Sequence, residues 1–146
     1  MRNPVHVRIV TRQEERAQAF DVRRDVFQRE QGVPAEEEFD ADDDRAVHVL
    51  ADIDGEPVGT GRLVFHPAYA KIGRMAVLKH HRRGGVGRAL MHALITVALE
   101  HHCTRLVLHA QVQAIPFYDA LGFHAVGDEF EEAGIPHRRM ERSFTA

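Results

Sequence analysis

The sequence predicts a mixed α/β fold, and three observations support this class. Residues 71–77 form a short apolar run suited to a buried strand, and a basic, glycine-rich turn follows them. From residue 86 onward, apolar residues recur at helical spacing on one face, which predicts a long amphipathic helix. Residues 104–111 then form a second apolar strand. It should lie parallel to the first, because a helix connects the two.

Length and composition favour a single domain over residues 1–146. The chain is long enough for a substantial core, and its hydrophobic content of 44% is ordinary for a globular protein. The net charge is −3, and basic residues are scattered except around residues 82–88, which argues against a nucleic-acid surface. The sequence also lacks the ~20-residue apolar run of a membrane helix and the apolar core of a signal peptide. Because Cys103 is the only cysteine, no internal disulfide is possible, and we expect a cytoplasmic protein.

The first elements are a strand and a helix. Residues 5–10 alternate between apolar and polar side chains, as a half-buried strand does. Thr11, with Glu14 three residues later, predicts a capping box at the start of a helix over residues 12–28. Glycine and proline in residues 32–34 would end that helix.

Residues 35–45 are strongly acidic, and two interpretations remain open. The segment is either a solvated loop or the rim of a site, where it would attract a cationic amine. A calcium loop is not indicated, because the order of carboxylates differs from that of an EF-hand.

A hairpin comes next, with strands predicted over residues 46–53 and 57–65. The Asp54-Gly55 pair between them is a strong signal for a tight turn. Gly59 and Gly61 in the second strand indicate a bulge or a close neighbour.

The remaining chain alternates strands and helices. A strand over residues 69–78 leads into the glycine-rich turn, and the long helix ends near residues 101–102. A short helix over residues 114–121 tolerates Pro116 because this residue falls in the first turn. The last predicted elements are a strand over residues 123–127, a turn over 129–134 and a strand over 136–144.

Two adjacent pairs of histidines, residues 80–81 and 101–102, do not predict a metal site. Neighbours in a helix point to different faces, and cations are favoured at a helix C-terminus. We therefore expect no metal.

The glycine-rich turn predicts an anion site. Free N–H groups of a first helical turn and the helix dipole both favour a phosphate, and the glycines allow close approach of the ligand. The residues concerned are Arg82, Arg83, Gly84, Gly85, Val86, Gly87 and Arg88. A Walker loop is excluded because no Gly-Lys-Ser/Thr occurs, and a dinucleotide fingerprint is excluded because Leu90 replaces its third glycine.

The same turn, residues 82–87, matches every fixed position of the pattern Q/R-x-x-G-x-G/A. Residues 114–123 look like A-x-x-[FL]-Y-x-x-x-G-F, about 30 residues further on. With both patterns in this order and spacing, the chain resembles the GNAT superfamily of acyl-CoA-dependent N-acetyltransferases. Residues 26–34 and 134–140 further resemble a bacterial subgroup of that superfamily, so the likeness covers nearly the whole chain.

The resemblance implies a fold, a cosubstrate and a binding mode. The fold is a mixed sheet, flanked by helices, whose parallel central strands splay apart to admit acetyl-CoA. The pantetheine arm would bond the backbone of Met75, Ala76 and Val77, while the pyrophosphate would meet the N–H groups of the turn. Phe117 would be a further contact. Gln111 or Gln113 replaces an asparagine that the family often carries, so that contact stays open.

The resemblance also suggests catalytic roles. Tyr118 would protonate the leaving thiolate as a general acid, although it could instead only pack against the cofactor. The N–H of Ala76 or Val77 could stabilise the oxyanion. Candidates for the base are Glu30, His109 and His137, or a water chain to a more distant carboxylate.

The predicted function is therefore transfer of an acetyl group from acetyl-CoA to a primary amine, with a small molecule as the favoured acceptor. Arg74 could face the acceptor and favour an acidic one, whereas residues 35–45 favour a cationic one, so the acceptor stays open. The alternatives are a non-catalytic acyl-CoA-binding module and an acetyltransferase that acts on protein N-termini or lysines. No nucleic acid or membrane partner is expected, and dimerisation is only an expectation of the resemblance.

Overall fold

In the computed structural model, which describes residues 3–145, seven strands pair into one mixed sheet. The strands are β1 (His6–Ile9), β2 (Val47–Ile53), β3 (Glu56–Phe65), β4 (Ala70–Val77), β5 (Arg105–Gln111), β6 (His124–Glu132) and β7 (Ile135–Ser143). Their order in the sheet is β1-β2-β3-β4-β5-β7-β6. Only β4 and β5 pair in parallel, as the sequence predicted, and every other neighbouring pair is antiparallel.

Helices connect the strands and cover the sheet. They are α1 (Gln13–Arg23), a π-helical segment (Arg24–Glu30), α2 (Ala35–Glu38), α3 (Val86–Glu100) and α4 (Ile115–Asp119). The helix predicted over residues 12–28 therefore has nearly the right extent, but its second half is wound as a π-helix. Such segments occur frequently at functional sites. None of the helices in residues 3–145 is long and apolar enough to cross a membrane.

The predicted start of α1 is wrong by one residue. Arg12, not Thr11, occupies the N-cap position. The carboxylate that satisfies the first free N–H groups belongs to Glu15, which accepts from Thr11 N (3.0 Å) and Arg12 N (3.1 Å). Glu15 is buried where it does so, whereas the predicted Glu14 is exposed.

Helix α3 packs closely on β3, and the two glycines of that strand explain how. A Cβ atom on Gly59 would lie 2.8 Å from Val86 Cγ1, and one on Gly61 would lie 2.6 Å from Met75 Sδ and 3.0 Å from Leu94 Cδ1. Side chains at these positions would push the helix off the sheet. The expectation of a close neighbour at both glycines is therefore confirmed.

The opposite face of the sheet carries α1 and the acidic segment. Val22 and Val26 pack against Ala76 of β4. Arg23 binds Glu38 (2.7 Å) and Asp43 (2.6 Å), and all three of these side chains are buried. The acidic segment is thus largely an ion-paired layer on the sheet rather than a solvated loop.

The C-terminal hairpin differs from the prediction. Residues 129–134 were expected to form a turn, but β6 continues to Glu132 and only Ala133 and Gly134 turn the chain. Both residues have positive φ (53° and 74°), the conformation of a tight hairpin turn. The prediction failed because β6 is an exposed edge strand rich in carboxylates, and such a strand lacks the apolar alternation of a half-buried one.

Candidate active site

The central feature of the site is a gap between β4 and β5. The two strands pair at only three positions, Ala70 with Leu106, Lys71 with Val107 and Ile72 with Leu108. Beyond these pairs β4 continues to Val77 and β5 to Gln111 without bonding one another. The strands therefore diverge toward their carboxyl ends, as the resemblance implied.

A bulge in β4 marks the start of the gap. Thr60 of β3 lies opposite Ala76, while Arg62 lies opposite Gly73, so β4 holds one extra residue between these pairs. Arg74 lies within the bulge with φ of +52°, a conformation unusual for a residue other than glycine. The bulge redirects the strand that borders the gap.

After the bulge, the backbone of Val77 faces the gap. The Leu78 N–H donates to the Val58 carbonyl across β3 (2.9 Å). Because bonded groups alternate along an antiparallel strand, the N–H and C=O of Val77 point the other way. Arg82 Nε already donates to the Val77 carbonyl (2.9 Å), which leaves the Val77 N–H directed at the gap.

The glycine-rich turn lies at the open end of the gap and leads into α3. Gly85 is the N-cap residue with φ of +87°, and Arg83 also has positive φ (63°). A Cβ atom on Gly85 would meet nothing within 4 Å, so the space in front of the first helical turn is open. The free N–H groups of α3 are thus exposed to a cavity, which is the geometry of an anion site.

The gap, the turn and the start of β7 line one open cavity of about 970 Å³. It brings together most of the predicted cofactor contacts. Those that line it are Met75, Ala76, Val77, Arg82, Arg83, Gly85, Gly87, Arg88 and Phe117. Two predicted contacts, Gly84 and Val86, are not among the lining residues; the side chain of Val86 is buried against the sheet.

Arg82 and Glu30 bind each other. Two hydrogen bonds of 2.7 and 2.6 Å join the guanidinium to the carboxylate, and the pKa of Glu30 is lowered because of them. Glu30 does not line the cavity. The pair ties the π-helical segment to the turn, and a role for Glu30 as the base stays a prediction.

Tyr118 lies on α4, where its ring forms part of the cavity wall. Phe117 and Phe123 pack edge-on against it, with centroid distances of 5.0 and 6.3 Å. Burial raises the pKa of the Tyr118 phenol to about 12, so it is protonated at neutral pH. A protonated phenol in the wall can donate a proton or a hydrogen bond into the cavity.

A polar cluster of His109, Glu132 and His137 lies at the other end of the cavity. His109 Nδ1 is 3.0 Å from Glu132 Oε1, and His137 Nε2 is 3.8 Å from Glu132 Oε2. His137 Nδ1 donates to the carbonyl of Ile135 (2.6 Å). The hydrogen bond from His109 is the main cause that lowers the pKa of Glu132 to about 2, so this carboxylate is ionised.

Sequence reasoning missed Glu132 and Lys71, which both line the cavity. Glu132 fell inside the predicted turn, and its meeting with His109 depends on the register of three strands. One weak signal pointed to this place, because two candidates for the base, His109 and His137, lie on neighbouring strands. The cavity wall also holds a bond between two amides 80 residues apart, in which Gln111 Nε2 donates to Gln31 Oε1 (3.0 Å).

Within residues 3–145, no group of three histidine, cysteine or acidic side chains is placed to hold a metal ion. Several carboxylates of residues 35–45, at or near the rim of the cavity, are bound by arginines. Arg62 binds Asp40 (2.7 Å) and Asp43 (2.8 Å), and Arg74 binds Asp40 (3.1 Å). These pairings neutralise Asp40 and Asp43, whereas Glu37, which is exposed and also lines the cavity, has no ion pair among the described residues.

Comparison with known proteins agrees with this geometry. A family model described as "Acetyltransferase (GNAT) domain" matches residues 11–144. The chain is 43% identical to the uncharacterized N-acetyltransferase YjcF of Bacillus subtilis over 134 residues, which cover 90% of this chain and 95% of that protein. An acyl-CoA N-acyltransferase from Pseudomonas aeruginosa has a similar structure, with a TM-score of 0.82 at 27% identity over 97% of this chain and 100% of that one. Escherichia coli ElaA gives a TM-score of 0.84 at 25% identity over 96% and 100% of the two chains.

Proposed function

Because the chain belongs to the GNAT family of acetyltransferases, we propose that it moves the acetyl group of acetyl-CoA directly to a primary amine of a small molecule. The observation that carries this proposal is a continuous cavity, which joins the β4–β5 gap at one end to the His109–Glu132 pair at the other. A thioester held in the gap and an amine held by the pair would meet inside it. Direct attack then requires no covalent intermediate on the protein.

The residues present fit acetyl-CoA. The unpaired edge of β4 after Ile72 offers backbone groups to the amides of a pantetheine arm. The open space before Gly85, together with Arg83 and Arg88, suits a pyrophosphate at a helix N-terminus. Bound there, acetyl-CoA would supply an activated acyl group on a thiolate leaving group.

We assign the base to His109. Nδ1 of His109 donates a hydrogen bond to the Glu132 carboxylate, and this leaves Nε2 of the ring as the nitrogen that can accept a proton. A histidine held in this way can remove a proton from an ammonium before the attack, or from the amine nitrogen as the new bond to carbon forms. His137 also has its Nδ1 bonded to the backbone, but its Nε2 lies 3.8 Å from Glu132 Oε2, so we place His137 beside that carboxylate and not at the amine.

Two groups complete the reaction. The Val77 N–H faces the gap and can donate to the oxygen that becomes negative when the amine attacks the thioester carbonyl. When the carbon–sulfur bond breaks, Tyr118 donates its phenolic proton to the departing sulfur. His109 then releases the proton that it took up and Tyr118 regains one, both by exchange with solvent, and the catalyst is restored.

A panel of primary amines tests the proposal. With acetyl-CoA present, release of the free thiol is measured by a thiol-reactive dye for each amine and for peptides that present an N-terminus or a lysine. We expect thiol release with at least one small amine, and His109→Gln should lower it by about 10²-fold. A protein that binds acetyl-CoA but releases no thiol with any amine would be a binding module, and activity restricted to the peptides would favour a protein acceptor.

A further inference from the structure

Lys71 lies at the closed end of the cavity. It belongs to one of the three pairs that hold β4 and β5 together, just before the strands part. Its neighbour Ile72 is buried in the core on the α3 side, so alternation places the side chain of Lys71 on the face that carries α1. There it lines the cavity, beside Val64 of β3.

The charge of Lys71 is not matched by a partner. No carboxylate of residues 3–145 lies within 4.0 Å of its ammonium. Two carboxylates act on Lys71 from a greater distance, and both have other partners: Glu132 is bound by His109 (3.0 Å) and Asp42 by Arg45 (2.9 Å). Lys71 is half-buried, and burial is the main cause that lowers its pKa.

The other two cations at this end of the cavity are already used. Arg62 binds Asp40 and Asp43, and Arg74 binds Asp40 and the carbonyl of Glu38 (2.8 Å). Lys71 is one of only two lysines in the sequence, and the other, Lys79, is exposed outside the cavity. An anionic ligand group that entered this end would therefore find one free ammonium.

We propose that Lys71 binds an anionic group of the acceptor, so that the substrate class is an amine that also carries a carboxylate or a phosphate. The inference rests on the proposed function, since it assigns the acceptor for the same site. The amine and the anionic group should be several bonds apart. Lys71 lies before the bulge of β4, whereas the Val77 N–H proposed for the oxyanion lies after the bulge, six residues further along the strand.

Matched pairs of amines test this assignment. The carboxylate pairs are 4-aminobutanoate and 6-aminohexanoate, each against its own carboxamide, because the amide keeps the size and changes the distant amine little. Phosphoethanolamine against ethanolamine is the phosphate pair. In thiol release from acetyl-CoA, the anionic member of at least one pair should have a kcat/KM about tenfold higher or more, and the pair that responds identifies the anion.

Variants of both lysines complete the test. Lys71→Met should remove the preference within the pair by raising the KM of the anionic member, whereas Lys71→Arg should retain most of it. Lys79→Met removes the same charge outside the cavity and should leave the preference unchanged. Equal kcat/KM within every pair, or a preference that survives in Lys71→Met, would overturn the assignment. Absence of thiol release with all amines, neutral ones included, would instead count against the proposed function.

Discussion

At the scale of single residues, the polar side chains around the cavity are of two kinds. Some are bound by neighbouring residues, and others face the space that a ligand would fill. Arg82 is held by Glu30 and by the Val77 carbonyl, although its place in the motif predicts a phosphate contact. Tyr118, by contrast, borders the cavity with only apolar rings packed against it in the pairs described above. Residue type alone does not distinguish these two situations, because the partner comes from a distant part of the chain.

Replacing Tyr118 by phenylalanine tests its role as the acid. The change removes the hydroxyl and keeps the ring that packs between Phe117 and Phe123. We expect kcat to fall by about 10²-fold, while the affinity for acetyl-CoA stays within about twofold. Steady-state kinetics and calorimetric titration with acetyl-CoA give the two quantities. An unchanged kcat would reduce Tyr118 to a packing residue.

Gly85 tests the anion site. Aspartate and asparagine at this position suffer the same strain, since φ is +87°, and both extend into open space. Only aspartate places a negative charge before α3. We expect Gly85→Asp to bind acetyl-CoA about tenfold more weakly than Gly85→Asn. Equal affinity of the two variants would show that no phosphate lies near this residue.

Candidate site residues could be predicted where a motif fixes them. Residues 82–88 and Tyr118 belong to local sequence patterns, and most of them line the cavity. Glu132 could not be found in this way. It reaches His109 only because β7 pairs with both β5 and β6, and this register is a tertiary property. The pairing of Glu30 with Arg82 joins residues 52 positions apart and was hidden for the same reason.

At the scale of elements, periodic segments were predicted well and irregular ones were not. Helix α3 was predicted correctly because the spacing of its apolar residues specifies a helix. The hairpin of β2 and β3 was predicted correctly because Asp54 and Gly55 specify a tight turn. The π-helical turn of residues 24–30 has no such signature. The acidic residues 35–45 form short helical turns because Arg23 and Arg62, on two other elements, neutralise them.

The buried arginine network predicts loss of stability in acid. The hydrogen bond from Arg62 lowers the pKa of Asp40. In Asp43, burial opposes ionisation, but Arg23 and Arg62 still hold the pKa well below its usual value of 3.8. Since both pKa values are lowered on folding, the stabilisation is complete above about pH 4 to 5 and is lost as the pH falls below that range.

Asp43→Asn should therefore lower the free energy of unfolding by about 3 kcal/mol at pH 7, because it leaves buried arginines without their partner. It should also flatten the decline in stability between pH 5 and about pH 2. Urea unfolding at a series of pH values measures both effects. Asp44→Asn is the matched control, because Asp44 is exposed where it pairs with Arg16, and it should change stability by less than about 0.5 kcal/mol.

At the scale of the whole molecule, the fold class and the parallel central pair were predicted correctly. The helix between residues 86 and 100 forces the crossover, and β4 and β5 are the strands on either side of it. The size of the gap could not be predicted, because it depends on the bulge at Arg74 and on how few pairs hold the strands.

Binding of acetyl-CoA should raise the thermal midpoint of the whole protein. A ligand that binds only the folded state adds ~2.7 kcal/mol at a hundredfold excess over its dissociation constant. For a chain of this size the midpoint should rise by roughly 5 °C or more. Scanning calorimetry with and without acetyl-CoA measures the shift. The amine is omitted, so that acetyl-CoA is not consumed during the scan. No shift at millimolar acetyl-CoA would contradict the assignment of the cavity.

The short contact between β4 and β5 has a mechanical consequence. The sheet has two parts. One holds strands β1 to β4 and the other holds β5, β7 and β6, and only three backbone pairs join β4 to β5 along their common border. An extended ligand such as a pantetheine arm, bound along the open part of that border, would bond to both parts of the sheet and hold them together. The stiffness of the molecule across this border would then depend on its occupancy, so the catalyst would be most rigid when it holds the group it is about to transfer.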